Sequence, residues 1–457
     1  MEPTPGRSDS WPHTGRLMPW LVAVFLGMIF LVPFDSLRLP VPLPVDSALD
    51  RFLLPLMALV WICGALAMRR AVNPLPRTWI SFAIGFFVAI ALTSVLINAG
   101  SLQTSGDLQV GWKGLATLIS YIAFFFLVAT TIRQSELRSF GNLIVVLACI
   151  TAAGTVLEYR TGVNIFRDVT EKLAVGGATL APPPPRSAAD VASRPEIIGP
   201  ARHGLAVCTM MAFALPIAIE RAFRSLGLRR IMWLLAMGLI VAGGVATLRK
   251  TALVLPLAVV LVIVAYRPRQ TLRVILPTAV ALVVLVQLLA PGAIGKLAGE
   301  LSPSHFDNNT STQGRISDYE AVRPDILYHP LLGRGFGTYL PSENRFVDNE
   351  YIVTTITTGI IGVVAYLLMV VAVMTVAHRS IKARDPALSG VALAASAGAF
   401  AYGIAGFLFD EFGFPQAPFL FFFTAAVVAV AATSDKSAVP ARYRLLNRAV
   451  IPSTPTP

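Results

Sequence analysis

Apolar runs of about 20 residues recur along the whole chain. Short polar or basic segments separate them, and no alternating apolar-polar pattern competes. Twelve runs lie near 17–34, 50–68, 78–97, 114–132, 140–157, 203–220, 231–248, 251–266, 272–290, 349–376, 387–409 and 414–433. A continuous run of this length reads as a membrane-crossing helix, because a lipid-exposed backbone must satisfy its own hydrogen bonds. The pattern therefore predicts an all-α, polytopic bundle of about twelve spans and argues against a β-barrel, whose strands alternate. Pro19 and Pro33 weaken the first run.

The spacing between runs divides the chain. A polar tail over 1–16 enters the first span directly, without the pattern of a cleaved leader. Spans one to nine occupy 17–290 and enclose a long outer segment over 158–202. A larger outer loop covers 291–348 before the tenth span, spans ten to twelve fill 349–433, and a second tail covers 434–457. The 158–202 segment carries the run APPPPR up to Arg186, expected to be extended. The large loop begins with the turn-rich SPSHFDNNTSTQG. A helical patch follows near 314–329, with Ile316, Tyr319, Arg323 and Ile326 on or near one face. Pro324 is expected to bend or restart it, and Pro330 to end it. The next segment, GRGFG, reads as a flexible turn.

Composition agrees with the pattern: 55% of residues are hydrophobic and 14% charged, too few charges for a soluble domain of this length. A net charge of +12 suggests nucleic acid at first sight, but its distribution reads as orientation. With the N-terminus inside, the inner segments hold 21 of the 37 basic residues and six acids, while the outer side holds 16 bases and 19 acids. Every short inner loop carries Lys or Arg, which places both termini in the cytoplasm. Cys63, Cys149 and Cys208 fall inside apolar runs and read as small core residues, not as a disulfide frame or a metal site.

Three places carry candidate chemistry. Spans seven and eight meet at Thr247-Leu248-Arg249-Lys250-Thr251, so two cations sit at the outer boundary with Gly243 and Gly244 just below. Intramembrane charge is costly and marks function, although both side chains could equally snorkel to headgroups. Arg315, Arg323, Arg334 and Arg345 add cations in the large loop among Asp318, Glu320 and Asp325. As a set they suit phosphate oxygens; singly they read equally well as a solvated loop. Asp348-Asn349-Glu350-Tyr351 opens the tenth span, and Asp348, Thr355 and Gly362 share a helix face of small residues below the acid. Asp348 is placed to accept a proton from a hydroxyl or to cap the helix. Asp410 and Glu411 read as a solvated outer turn.

These motifs resemble the O-antigen ligase and O-antigen polymerase superfamily. The resemblance rests on Asp348-Asn349 with Gly359 and Gly362 at their spacing, and on HPLLGRGFG with Gly333, Gly335 and Gly337. Arg315 upstream, TLRKTAL around Arg249, and GPARHGLA with Arg202 and His203 complete it. Family ligases usually have histidine where this chain has Asp348, a departure that leans toward a polymerase or a ligase of another polymer.

The resemblance implies a glycosyltransferase of cell-surface polysaccharide biosynthesis in the bacterial inner membrane. Its donor would be a polyprenyl-pyrophosphate-linked glycan and its acceptor a hydroxyl of a glycan or glycolipid on the outer face. It implies neither metal nor other cofactor, and no nucleic acid. Membrane lipid and other polysaccharide-assembly proteins would be its further partners. Asp348, Arg315 and Arg249 are the expected catalytic residues, with Lys250, Arg202, His203, Arg323, Arg334, Asn349 and Glu350 in substrate binding. A transporter and a non-catalytic flippase or assembly partner are the alternatives.

Overall fold

The computed structural model describes residues 17–40, 48–67, 78–174, 178–181, 196–300, 310–340, 344–345, 347–382 and 385–433. Each of the twelve apolar runs falls on a helix: α1 Leu17–Leu31, α2 Asp50–Ala67, α3 Trp79–Ile97, α5 Leu108–Thr131, α6 Gln134–Thr161, α8 Gly204–Arg224, α9 Gly227–Ala246, α10 Thr251–Tyr266, α11 Pro268–Leu289, α14 Glu350–Ile381, α15 Pro386–Ala405 and α16 Gln416–Thr433. Eight of them are long and apolar enough to cross a membrane, and α1 and α10 are shorter apolar helices. Among the described residues, four further helices lie between them: α4 Ala99–Ser105, α7 Ile165–Leu173, α12 Ala293–Glu300 and α13 Thr310–Tyr328. The described strands, β1 Leu37–Arg38 and β2 Thr179–Leu180, form one short antiparallel pair. The fold is an all-α polytopic bundle, as the hydrophobic pattern predicts.

Helices α8 and α16 form the hub, each buried on nearly all sides. Small residues let the bundle close. At Gly243 a Cβ would run into Ala152 of α6, and at Gly398 into the ring of Phe213. A stack of rings around Phe25, Tyr121, Phe124 and Phe419 fills the space between α1, α5 and α16. Large apolar side chains such as Phe82, Leu92 and Leu257 face outward, as lipid-facing positions do. Cys63 also faces outward, unlike the buried Cys208, so it is not the core residue its apolar run suggested.

The polar contacts gather at two opposite ends of the bundle. At one end lie Asp35, Asp107, Glu196, Arg202, Arg249, Arg334, Glu350 and Glu411. At the other lie Arg138, Glu220, Arg221, Arg224, Arg267 and Ser389. The first end is built from the segments that the charge pattern puts on one side.

The large loop is more ordered than its composition suggests. Its patch is a helix, α13, that runs through Pro324 to Tyr328 instead of restarting there. Tyr319, Val322 and Ile326 pack with Tyr339, Val347 and Ile356 in a second small core, whereas Arg323 is exposed. Arg323 is thus off the packed face. The APPPPR run from 182 onward, the tails over 1–16 and 434–457, and the SPSHFDNN segment lie outside the described residues.

Candidate active site

The turn between α9 and α10 holds its arginine with a strained backbone. Leu248 has φ 57°, the one positive value at a non-glycine among the described residues. For a branched side chain this conformation is costly and points to a functional constraint. Thr247 secures the turn: its hydroxyl donates to the Gly244 carbonyl at 2.7 Å and accepts from the Arg249 N–H at 3.4 Å. The Arg249 guanidinium then donates to Glu196, and His203 Nε2 meets the same carboxylate at 2.8 Å. Glu196 arrives on a segment pinned by Glu158, which accepts from the N–H groups of Ile198 (3.3 Å) and Gly199 (2.8 Å). Burial alone would raise the Glu196 carboxyl, but His203 and Arg249 outweigh it and hold it below the usual carboxylate range. The Arg249 side chain is still 38% exposed, so it is oriented without being sealed off.

The glycine segment is not a flexible turn. Gly359 (φ 70°, ψ −173°) breaks α14, leaving backbone groups on both sides of the break without helical partners. The 330–335 segment supplies them. The N–H groups of Arg334 and Gly335 donate to the Ile356 and Thr357 carbonyls at 2.9 and 3.0 Å. The Ile360 and Ile361 N–H groups donate to the Pro330 and Leu331 carbonyls at 2.9 and 3.4 Å. Irregular backbone at membrane depth is tolerated only with such partners. Two side chains of α3 and its end complete the junction. Ser94 donates to the Thr357 carbonyl at 2.7 Å, and Asn98 to the Gly333 carbonyl at 2.9 Å. A Cβ at Gly333 or Gly359 would collide with the opposing backbone. Thr355 and Gly362 therefore do not form the continuous small-residue stripe expected below Asp348, because the helix is broken between them at Gly359.

At the mouth of α14 the cap is Asn349, not Asp348. The Asn349 side chain accepts from the Ile352 N–H at 3.2 Å and donates to the Tyr319 hydroxyl at 3.2 Å, tying α13 to α14. Asp348 precedes the helix and is half-buried. Glu350 is 1% exposed and is spent on structure: Thr354 donates to it at 2.7 Å and the Phe412 N–H at 3.1 Å. The solvated turn expected at Asp410 and Glu411 is overturned. Glu411 is 0% exposed and accepts from the Tyr366 hydroxyl. Burial pushes both carboxyls up, Glu411 well above the ordinary value. The signal missed was position: each acid ends an apolar run closely followed by another, which leaves no room for a turn clear of the bundle.

The 406–416 segment links the two halves of the end. The Gly406 carbonyl accepts from the Glu350 N–H at 2.8 Å, while the Phe414 ring lies 5.6 Å from that of His203. Gln416 donates to Asp35 at 3.2 Å, and Asp35 also accepts from the Arg202 N–H at 3.3 Å. Burial raises the Asp35 carboxyl, against the pull of Gln416 and Arg202. Arg249, His203 and Arg202 thus share one assembly with Glu350, of the expected residues. Arg334 sits apart, 3.5 Å from Asp107 and 3.3 Å from Asn344. Lys250 flanks Arg249, half-buried. Arg315 lies on α13 with its side chain outside the described ones. Asp35, Glu158, Glu196 and Gln416 were missed by the sequence reading. Their signal was an acid or amide at the outer end of an apolar run, but nothing local names its partner.

No curated protein matches the chain. A family model described as O-antigen ligase matches residues 234–367. The match includes Arg249, Arg315, the docked glycine segment, Asp348 and the break at Gly359; it excludes Glu196, His203 and the 406–416 segment. This match supports the O-antigen ligase and polymerase superfamily for this membrane protein.

Proposed function

We propose that the chain transfers a polyprenyl-pyrophosphate-linked oligosaccharide to an acceptor hydroxyl on the outer face of the bacterial inner membrane, as a polymerase or ligase of surface polysaccharide. The observation that carries this reading is the strained hairpin at Leu248. It presents Arg249, clamped yet accessible, inside the stretch that matches the family.

In the proposed step the acceptor oxygen forms a bond to the donor's anomeric carbon. The bond from that carbon to the pyrophosphate oxygen breaks, and the polyprenyl pyrophosphate leaves with the electron pair. Charge grows on the leaving group, and a preorganised guanidinium stabilises that growth more than it stabilises the ground state. Arg249 takes this role, with Arg202, Lys250 and Arg315 as further cations for the pyrophosphate and His203 holding the Glu196 clamp. Asp348 orients the hydroxyl and accepts its proton. Glu350 is less suited, because its carboxylate already holds Thr354 and the Phe412 N–H. Both termini lie in the cytoplasm in this reading.

The test is transfer in proteoliposomes with a polyprenyl-pyrophosphate-linked donor, for Arg249→Ala, Arg315→Ala and Asp348→Ala. Loss of transfer with retained donor binding in Asp348→Ala, and loss of both in Arg249→Ala, is expected. Full transfer in all three variants would remove the assignment.

A further inference from the structure

The end of the bundle opposite Arg249 carries a groove that the transfer reaction does not use. It lies between α6, α8, α15 and α16. Its walls are apolar, among them Leu137, Ile144, Phe213, Ile217, Val391 and Phe423. Its mouth is lined by Glu220, Arg221 and Arg224.

The charges at this mouth do not balance. Glu220 is shared by two cations: Arg224 donates to it, and Arg267 Nη1 donates to both its oxygens at 2.9 and 2.6 Å. Arg221 is 7% exposed, yet its hydrogen-bond partners among the described residues are neutral. Its Nε donates to Asn142 Oδ1 and its Nη2 to the Arg138 carbonyl, both at 2.9 Å. Among the described residues, a buried guanidinium facing neutral acceptors beside an apolar groove lacks the directly bonded anion that burial ordinarily demands. Bidentate guanidinium geometry suits phosphate oxygens, and basic pockets between membrane helices bind anionic lipid headgroups.

We propose that this groove is a binding site for an anionic phospholipid, whose phosphate meets Arg221 and Arg224 and whose acyl chain lies along the apolar walls. Charge complementarity selects the headgroup and the groove selects the chain. The site is independent of the transfer reaction, which is assigned to the other end.

The test is lipid titration of the purified full-length protein by native mass spectrometry, with phosphatidylglycerol, phosphatidylcholine and inorganic phosphate as probes. Wild type should bind phosphatidylglycerol roughly tenfold more tightly than phosphatidylcholine. Arg221→Gln should abolish that preference. Ile217→Trp fills the groove and keeps every charge, so it should weaken phosphatidylglycerol binding even if Arg221→Gln does not fold. Arg269→Gln, an exposed arginine at the same end, should bind as wild type. Equal binding of the two lipids by wild type would overturn the proposal, as would unchanged binding in Ile217→Trp. Displacement of the lipid by millimolar inorganic phosphate would reduce the groove to a free-anion site and also overturn it.

Discussion

The two ends of the bundle handle charge in opposite ways. At the Arg249 end, acids are buried and used as clamps: Glu196 holds Arg249 and His203, Glu158 holds the backbone of Ile198 and Gly199, and Glu350 and Glu411 hold the 406–416 segment. At the opposite end one acid, Glu220, serves two arginines, and Arg221 is left with neutral partners. A site that receives an anionic leaving group needs cations that are aimed but not neutralised beyond use. The 38% exposure of Arg249 beside its clamp meets that need. At the other end the described hydrogen-bond partners of Arg221 are neutral, as the proposed lipid site requires.

This contrast can be broken at several strengths. The largest effect is expected from Arg249→Ala, which should lower transfer by roughly 100-fold or more in the proteoliposome assay, since it removes charge stabilisation of the leaving group. Glu196→Gln should cost less and mainly lower turnover, because Arg249 loses its aim but not its charge. Wild-type transfer levels in Glu196→Gln would show that the clamp does not matter.

The break in α14 comes next. Gly359→Ala forces a Cβ into the Leu331 carbonyl at a backbone angle few side chains adopt. It should destabilise the protein by about 2 kcal/mol or more, read as a lower unfolding midpoint in detergent. Asn98→Ala leaves the buried Gly333 carbonyl without its donor and should cost about 1–3 kcal/mol.

A pH effect follows from the buried acids. The Asp410 and Glu411 carboxyls are raised in the folded protein. The folded state therefore holds protons more tightly, and their stabilising effect is complete below the ordinary carboxylate range of about 4. It is lost as pH rises through the raised values. Thermal stability should fall with rising pH on that account, and Glu411→Gln should flatten the fall. Glu196 has the opposite sign. Its lowered carboxyl contributes above the ordinary range and loses that contribution as pH falls through the depressed value. The smallest effect is expected at Arg323, which is exposed on α13; Arg323→Ala should change stability by less than about 0.5 kcal/mol and leave transfer near wild type.

Some of this was legible without coordinates. The twelve helices are visible because bilayer physics writes them as long apolar runs. The Arg249 hairpin is visible because two charges between adjoining spans are exceptional. The glycines at 333, 335 and 359 were also visible, but the segment of the first two was read as a flexible turn. Their actual role is to let two backbones exchange hydrogen bonds across a helix break, a relation between positions 22 and 30 residues apart.

What the sequence determined by itself is the helical class and the stretch that matches the family. The helical class follows from solvent, because lipid demands an internally satisfied backbone. The tertiary structure alone decided which acid meets which cation. Glu196 and Arg249 are 53 residues apart, Asp35 and Gln416 are 381 apart, and Glu411 is buried instead of solvated. Side-chain pairing in a bundle depends on which helix ends become neighbours, and apolar periodicity carries no record of that choice.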